Sequence, residues 1–268
     1  MIIGGRTFDF DRYTYVMGIL NVTPDSFSDG GRWNTTDKAL RAALKMTEEG
    51  ADIIDVGGES TRPGYTKISD DEEIDRVVPV IERIKKEADV PVSIDTYKSK
   101  VARAALSAGA DLVNDIWGLK YDPCMADIIA EYKIPCCIMH NRKDTGYTDF
   151  LQDVVTDLQE SLQIAKAAGI ARDKIIIDPG IGFAKDYEQN LLMIKNLDIL
   201  KELNLPIMLA TSRKSVIGLT LDLPVEERLE GTLATTIYGA LNGAGIVRVH
   251  DVKENVRALR MLRAITEV

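Results

Sequence analysis

The stretch V-M-G-I-L-N-V-T-P-D-S-F-S-D-G-G, residues 16–31, decides how this chain is read. Its first half is an apolar run of strand length, and its second half breaks at Asn21 into turn formers, so a buried strand delivers a polar loop to a surface. Taken alone, the loop reads either as the lip of an active site or as a well-capped turn, because Asn, Thr, Pro, Asp and Gly are all ordinary turn residues. Recurrence tips the balance. Eight strand-like runs, at 16–20, 52–56, 92–94, 112–113, 136–139, 175–177, 207–209 and 246–249, alternate with amphipathic stretches. The latter fall at 36–48, 70–87, 98–108, 123–132, 149–168, 186–203, 225–241 and 252–264.

That alternation predicts an α/β fold of parallel strands joined by crossover helices. Three joints echo one another, E-G-A-D-I-I-D-V-G-G at 49–58, A-G-A-D-L-V-N-D-I-W-G at 108–118 and G-A-G-I-V-R-V-H-D at 243–251. Each runs from a helix-ending glycine through an apolar strand to a polar cluster. Eight such units favour a closed (βα)8 TIM barrel, with residues 2–10 as a short N-terminal hairpin over one end. A doubly wound open sheet fits the same alternation, but no G-x-G-x-x-G follows the first strand. No linker or low-complexity tract divides the 268 residues, so one domain spanning 1–268 is expected.

Composition narrows the function. A net charge of −9 and a sequence pI near 4.9 argue against nucleic acid as a partner, since phosphate neutralisation needs clustered Lys and Arg. The apolar runs are too short to cross a bilayer, and the first ten residues lack the order of a signal peptide, so a cytoplasmic protein without membrane association is expected. Cys124, Cys136 and Cys137 include no C-x-x-C and read as reduced core thiols, and with two histidines a His-based metal cluster is not expected.

In a barrel, chemistry sits where strands end and the following loops begin. Those positions hold Asn21, Asp55, Asp95, Asn114, His140, Asp178, Ser212 with Lys214, and Arg248 with His250. Asp95 and Asn114 could read the donor and acceptor edge of a flat heterocycle, or Asp95 could cap the next helix. In D-P-G-I-G-F, 178–183, the glycines let backbone approach a ligand and Phe183 offers an aromatic face, although a plain turn fits as well. Thr211-Ser212-Arg213-Lys214-Ser215 and Arg248-Val249-His250-Asp251 bring cations to the last two strands, where barrels often bind anions. The charged run after His140 reads as a solvated loop, and Trp33 and Trp117 read as packing groups.

The runs N-V-T-P-D-S-F-S-D-G-G at 21–31, G-G-E-S-T-R-P-G at 57–64, S-I-D-T at 93–96, N-D-I at 114–116, D-P-G-I-G-F at 178–183, S-R-K-S at 212–215 and R-V-H-D at 248–251 together resemble the dihydropteroate synthase family, in order and over essentially the whole chain. The resemblance implies a barrel that joins 6-hydroxymethyl-7,8-dihydropterin diphosphate to p-aminobenzoate, releasing diphosphate. It implies pterin contacts from Asp95, Asn114, Ile116, Met139, Asp178, Gly182, Lys214 and Arg248, with Asp95, Asp178 and Lys214 as catalytic residues. A p-aminobenzoate site at Thr61, Arg62, Pro63, Phe183, Ser212 and Lys214 is where sulfonamides compete in the family. Diphosphate would fall to Asn21, Thr61, Arg248 and His250, with magnesium at Asn21, and loops 23–31 and 60–65 would close over the reaction. A homodimer through the C-terminal helices is implied too. Two departures stand out: His140 leads into Asn141-Arg142-Lys143 where the family has Met-x-Gly, and Ala184 replaces a usual glycine. Rival readings are a pterin-dependent methyltransferase and a non-catalytic pterin-binding protein.

Overall fold

A computed structural model describes residues 1–23, 32–60 and 67–268. Its first element is a two-stranded antiparallel hairpin, β1 (Ile2–Ile3) and β2 (Arg6–Thr7). The turn between them is Gly4-Gly5, both with positive φ (+55° and +79°), the geometry of a tight hairpin turn that glycine adopts without steric cost. Eight parallel strands then close into a barrel: β3 (Tyr15–Asn21), β4 (Ile53–Gly57), β5 (Val92–Asp95), β6 (Leu112–Asp115), β7 (Cys136–Met139), β8 (Ile175–Asp178), β9 (Ile207–Leu209) and β10 (Ala244–Val249). They pair in chain order, and β10 returns to β3 to seal the circle, so the closed barrel replaces the open-sheet alternative.

Period-two alternation along each strand sorts the side chains. Val16, Ile54, Ile94, Val113, Ile138 and Ile177 face outward into the large core beneath the helices. Met17, Ile53, Leu112, Cys137, Ile176, Met208 and Ile246 face inward and form a separate apolar plug in the lower barrel. Ile3 and Phe8 of the N-terminal segment join that plug, so the hairpin closes the bottom as expected. With the bottom filled, the polar strand ends are confined to the opposite mouth.

The connecting helices are α1 (Arg32–Glu48), α2 (Asp70–Glu87), α3 (Ser99–Ser107), α4 (Met125–Tyr132), α5 (Phe150–Ala167), α6 (Tyr187–Lys195), α7 (Ser215–Leu221) and α8 (Leu229–Leu241), and α9 (Val252–Thr266) follows the last strand. α2 shows why such segments are helical: Ser69 caps it by accepting from the Glu72 N–H, four acidic residues fill its first turn and Lys85 and Lys86 its last. α6 opens with a reciprocal capping box between Asp186 and Gln189.

Two long predicted helices are broken. The stretch 186–203 is α6 followed by a 3-10 segment, Leu197–Leu203, because Asn196 leaves helical geometry and turns its amide back to the Leu192 carbonyl. The stretch 225–241 starts late, at Leu229, after a separate 3-10 turn. The sequence reading also missed α7, whose β-branched residues and Gly218 give weak propensity. A β-carbon at Gly218 would lie 2.1 Å from the Arg228 guanidinium, which would have to move aside. Among the described residues no helix is long and apolar enough to cross a membrane.

Candidate active site

Above the apolar plug the barrel interior turns polar. Asp55, Asn114, Asp178 and Arg248 project from alternate strands β4, β6, β8 and β10, the arrangement by which barrels stack their interior layers. Arg248 donates from Nε to Asp55 Oδ2 (2.5 Å) and from Nη2 to Asp95 Oδ2 (2.6 Å). Asp55 Oδ2 also accepts from the Asn114 amide at 3.2 Å. Asp95 therefore turns into the barrel and does not cap α3, whose N-cap residue Lys98 makes no side-chain capping bond.

Among the described residues, four buried side-chain polar atoms have no hydrogen-bond partner: Asp55 Oδ1, Ser93 Oγ, Asp95 Oδ1 and Asp178 Oδ2. Unpaired buried acceptors are costly, and several at inward-facing positions of the barrel strands mark a place built to receive donors. Burial pushes the Asp95 carboxyl above the usual carboxylate range, with Arg248 pulling it down and Asp55 pushing it further up. Asp178 is likewise raised by burial, opposed by Lys214 and by the Gly180 N–H that its Oδ1 accepts at 2.6 Å.

At the mouth, Lys214 donates to the Ile181 carbonyl and lies 4.8 Å from the centre of the Phe183 ring. Burial lowers its pKa to about 8, with Asp178 opposing and Arg248 reinforcing the shift. Gly182, at φ +82°, packs under the Lys214 side chain, and a β-carbon there would sit 3.3 Å from Lys214 Cδ. Ile116, Met139 and Tyr97 form a small apolar wall, with Phe183 and Trp117 packed against it. Ser212 Oγ bonds His250 Nδ1 at 3.0 Å and accepts from the His250 N–H at 3.1 Å, tying the ends of β9 and β10 together. Arg213 takes a left-handed conformation (φ +57°) and turns away to a bidentate pair with Asp251.

Asn21 ends β3 beside Gly57, with no hydrogen bond to its side chain among the described residues. A β-carbon at Gly57 would lie 3.6 Å from Asn21 Oδ1 and 3.7 Å from Asp95 Oδ2, so both oxygens flank one point at the rim. Asn21, Asp95, Asn114, Asp178, Lys214, Arg248, Ser212 and His250 thus gather at one end of the barrel. Thr61, Arg62 and Pro63, most of loops 23–31 and 60–65, and the Trp33 side chain lie outside the described residues.

The run after His140 is exposed from Lys143 to Gly146, as its reading as a solvated loop expects, but His140 and Arg142 before it are anchored. His140 is 2% exposed, and its ring joins Asp157 (Nε2, 2.9 Å) to Lys185, whose ammonium lies 2.9 Å from Nδ1. Arg142 clasps the same Asp157 and lies 4.4 Å from the centre of the Tyr147 ring. Lys185 also donates to the carbonyls of Gly180 and Phe183, at 3.1 and 3.2 Å, so this cluster fixes the 178–183 loop from behind. Gly180 is glycine because a β-carbon would collide with the His140 carbonyl at 2.0 Å. Close approach at these two glycines is thus to protein atoms. Ala184 keeps a left-handed backbone (φ +45°) where the resemblance expects glycine.

The sequence reading set Asp55 among the strand-end residues, but the resemblance gave it no role in the site. The available signal was a carboxylate inside an otherwise apolar, two-sided buried strand, I-I-D-V-G. Asp115 illustrates the other side of the alternation: it faces away from Asn114 and accepts from the N–H groups of Trp117 and Leu119.

The sequence profile of the family described as pterin binding enzyme matches residues 17–250. A dihydropteroate synthase from Clostridium beijerinckii is 58% identical over 262 residues, covering 97% of both chains. A crystal structure of dihydropteroate synthase from Clostridium difficile, determined in the presence of pteroic acid, superposes with a TM-score of 0.95 at 52% identity, covering 97% of this chain and 99% of that one. One from Xanthomonas albilineans in complex with 7,8-dihydropteroate gives 0.91 at 40% identity, covering 99% and 98%. With the gathered barrel-mouth residues and these likenesses together, the chain belongs to the pterin-binding enzyme family, among the dihydropteroate synthases.

Proposed function

We propose that the chain condenses 6-hydroxymethyl-7,8-dihydropterin diphosphate with p-aminobenzoate to give 7,8-dihydropteroate and diphosphate. The observation that carries this reading is the pair of unpartnered buried carboxylate oxygens, Asp95 Oδ1 and Asp178 Oδ2, on carboxylates that both act electrostatically on Lys214. A pterin ring presents several N–H donors and a carbonyl on one flat edge, which suits two acceptors and an ammonium. Asn114, Ile116, Met139, Gly182 and Arg248 complete the pterin contacts. Asn21, Thr61, Arg248 and His250 take the diphosphate, and Phe183, Ser212 and Lys214, with Thr61, Arg62 and Pro63, take the p-aminobenzoate.

The donor set suits magnesium. Asn21 offers one hard oxygen at the rim, and magnesium is commonly held by one or two protein oxygens together with substrate phosphates and water. Bound there, the ion supplies charge neutralisation for the diphosphate leaving group. The chain's own groups do the rest. Arg248 draws off negative charge as the carbon–oxygen bond breaks and its electron pair leaves with the diphosphate. The carboxylates of Asp95 and Asp178 stabilise positive charge spread over the pterin and its methylene. The arylamine is neutral at pH 7, so its lone pair forms the new carbon–nitrogen bond without a strong base, and the proton it sheds goes to solvent.

Homodimer formation is supported by the position of the exposed large apolar side chains. Among the described residues they concentrate on α6 to α9, including Leu191, Leu219, Tyr238, Leu241, Met261 and Ile265. Three free cysteines suit a reducing, cytoplasmic setting, and barrel closure by strands from Tyr15–Asn21 to Ala244–Val249 suits one domain over 1–268.

Incubation with pterin diphosphate, p-aminobenzoate and magnesium should yield dihydropteroate and one diphosphate per turnover. Failure to form dihydropteroate while pterin still binds would leave the non-catalytic or methyltransferase alternatives standing. Diphosphate release indifferent to chelation would remove the metal assignment.

A further inference from the structure

We propose that Asp55 is a positioning residue of the pterin site, a single buried carboxylate oxygen that holds Arg248 and Asn114 in the orientations needed to meet the pterin diphosphate. This rests on the pterin reading above.

Asp55 sits wholly buried, 0% exposed, halfway along β4, between Ile19 of β3 and Ser93 of β5 in register. Its Oδ2 accepts from two strands away on each side, from Asn114 Nδ2 on β6 and from Arg248 Nε on β10. Each bond removes one freedom. The Arg248 guanidinium is a rigid planar fork, so fixing Nε fixes its plane and leaves the Nη groups to be shared between Asp95 and an incoming anion. Without Asp55 the whole fork is free to fold onto Asp95, the residue whose remaining oxygen has no partner. The charge of Arg248 then competes with the ligand for Asp95.

An ionised carboxylate only accepts, so Asn114 must turn its NH2 toward Asp55 and its carbonyl oxygen away. Asp55 thereby selects which of two nearly isosteric amide orientations the pterin meets. An asparagine at 55 can still accept from Arg248 Nε with its oxygen, but its own NH2 can reverse the Asn114 amide. Asp55 itself sits beneath Asp95, below the level at which Lys214 and Phe183 frame the mouth, and among the described residues it makes no hydrogen bond to a group assigned to p-aminobenzoate.

The test is Asp55→Asn in the full-length enzyme, read by steady-state kinetics, by direct titration with the pterin alone and by urea unfolding. Pterin affinity should weaken about tenfold or more, the loss of a charge-assisted hydrogen bond, and KM for pterin diphosphate should rise in step. KM for p-aminobenzoate should stay put, whatever the loss of one buried ion pair does to the urea midpoint. A double-mutant cycle with Arg248→Gln should be non-additive, because the second change removes the partner that Asp55 holds. Unchanged pterin affinity in Asp55→Asn, additivity in the cycle, or equal increases in both KM values with a lowered urea midpoint would each overturn the proposal. Should Asp55→Asn fail to fold, Asp55→Ser, smaller and still an acceptor, carries the same outcomes. A wild-type protein that does not bind the pterin would overturn the functional reading, and the role of Asp55 with it, whereas failure in the variant alone overturns only the latter.

Discussion

Two of the clusters of buried charge among the described residues are built on opposite terms. Behind the strand ends, Lys98 donates to Glu59 (2.7 Å), to Glu73 (2.7 Å) and to the Ile68 carbonyl (2.9 Å). Glu59 in turn accepts from the Tyr97 hydroxyl (2.5 Å) and the Ile68 N–H (2.9 Å). None of these side chains has a buried polar atom without a partner. In the barrel mouth, Asp55, Asp95 and Asp178 each keep one such atom around Arg248. A fully bonded network fixes structure, whereas a partly bonded one holds acceptors ready for something else. The first cluster also joins Glu59 to Ile68, residues on either side of the 61–66 segment.

The contrast breaks most plainly in stability. Lys98→Met leaves Glu59 and Glu73 buried without their cation and should cost about 3–5 kcal/mol, measured by urea unfolding. A loss below about 1 kcal/mol would mean the cluster is not the structural one. Asp178→Asn should do the reverse. It should lower kcat/KM about a hundredfold or more while leaving the urea midpoint unchanged or raised, as expected where a site holds destabilised groups for function. Near-normal turnover in that variant would remove Asp178 from the chemistry.

The two lysines sharpen the comparison through pH. Burial disfavours charge on both, but at Lys98 the bonds to Glu59 and Glu73 win and raise its pKa, while Lys214 falls to about 8. Loss of the Lys214 proton should lower kcat/KM for the pterin substrate as pH rises through about 8. Stability should move oppositely. Between about 8 and the ordinary lysine value of 10.5 the unfolded chain binds the proton that the folded chain has lost, so this group's contribution grows with pH. For Lys98 the stabilisation is complete below 10.5 and is lost only as pH climbs through its higher folded value. A wild-type minus Lys214→Met stability difference that is flat from pH 7 to 10 would contradict the assignment. The smallest effect belongs to Ser93→Ala, which removes a buried hydroxyl with no partner and should change stability by less than about 1 kcal/mol.

Much of this was readable in advance. Strand and helix alternation predicted the barrel, and the polar residues at strand ends named nearly every side chain now found at the mouth. The breaks at Asn196 and before Leu229, and the short helix Ser215–Leu221, were not readable, because each depends on a local contact: a side chain returning to a carbonyl, or Arg228 lying against Gly218. That His140 and Arg142 are anchored was not readable, because their partners, Lys185 and Asp157, lie 45 and 15 residues away in sequence.

The order of residues by itself determined the layered α/β plan, the end of the barrel where chemistry gathers and the family, since hydrophobic period and long motifs are properties of the chain. Tertiary structure decided which carboxylates meet. Asp55 and Asp115 both lie on barrel strands, yet one turns inward to hold Arg248 and the other outward to bond the backbone of a turn. The physical reason is that facing follows from strand register around a closed circle, and that closure is made only when β10 pairs with β3.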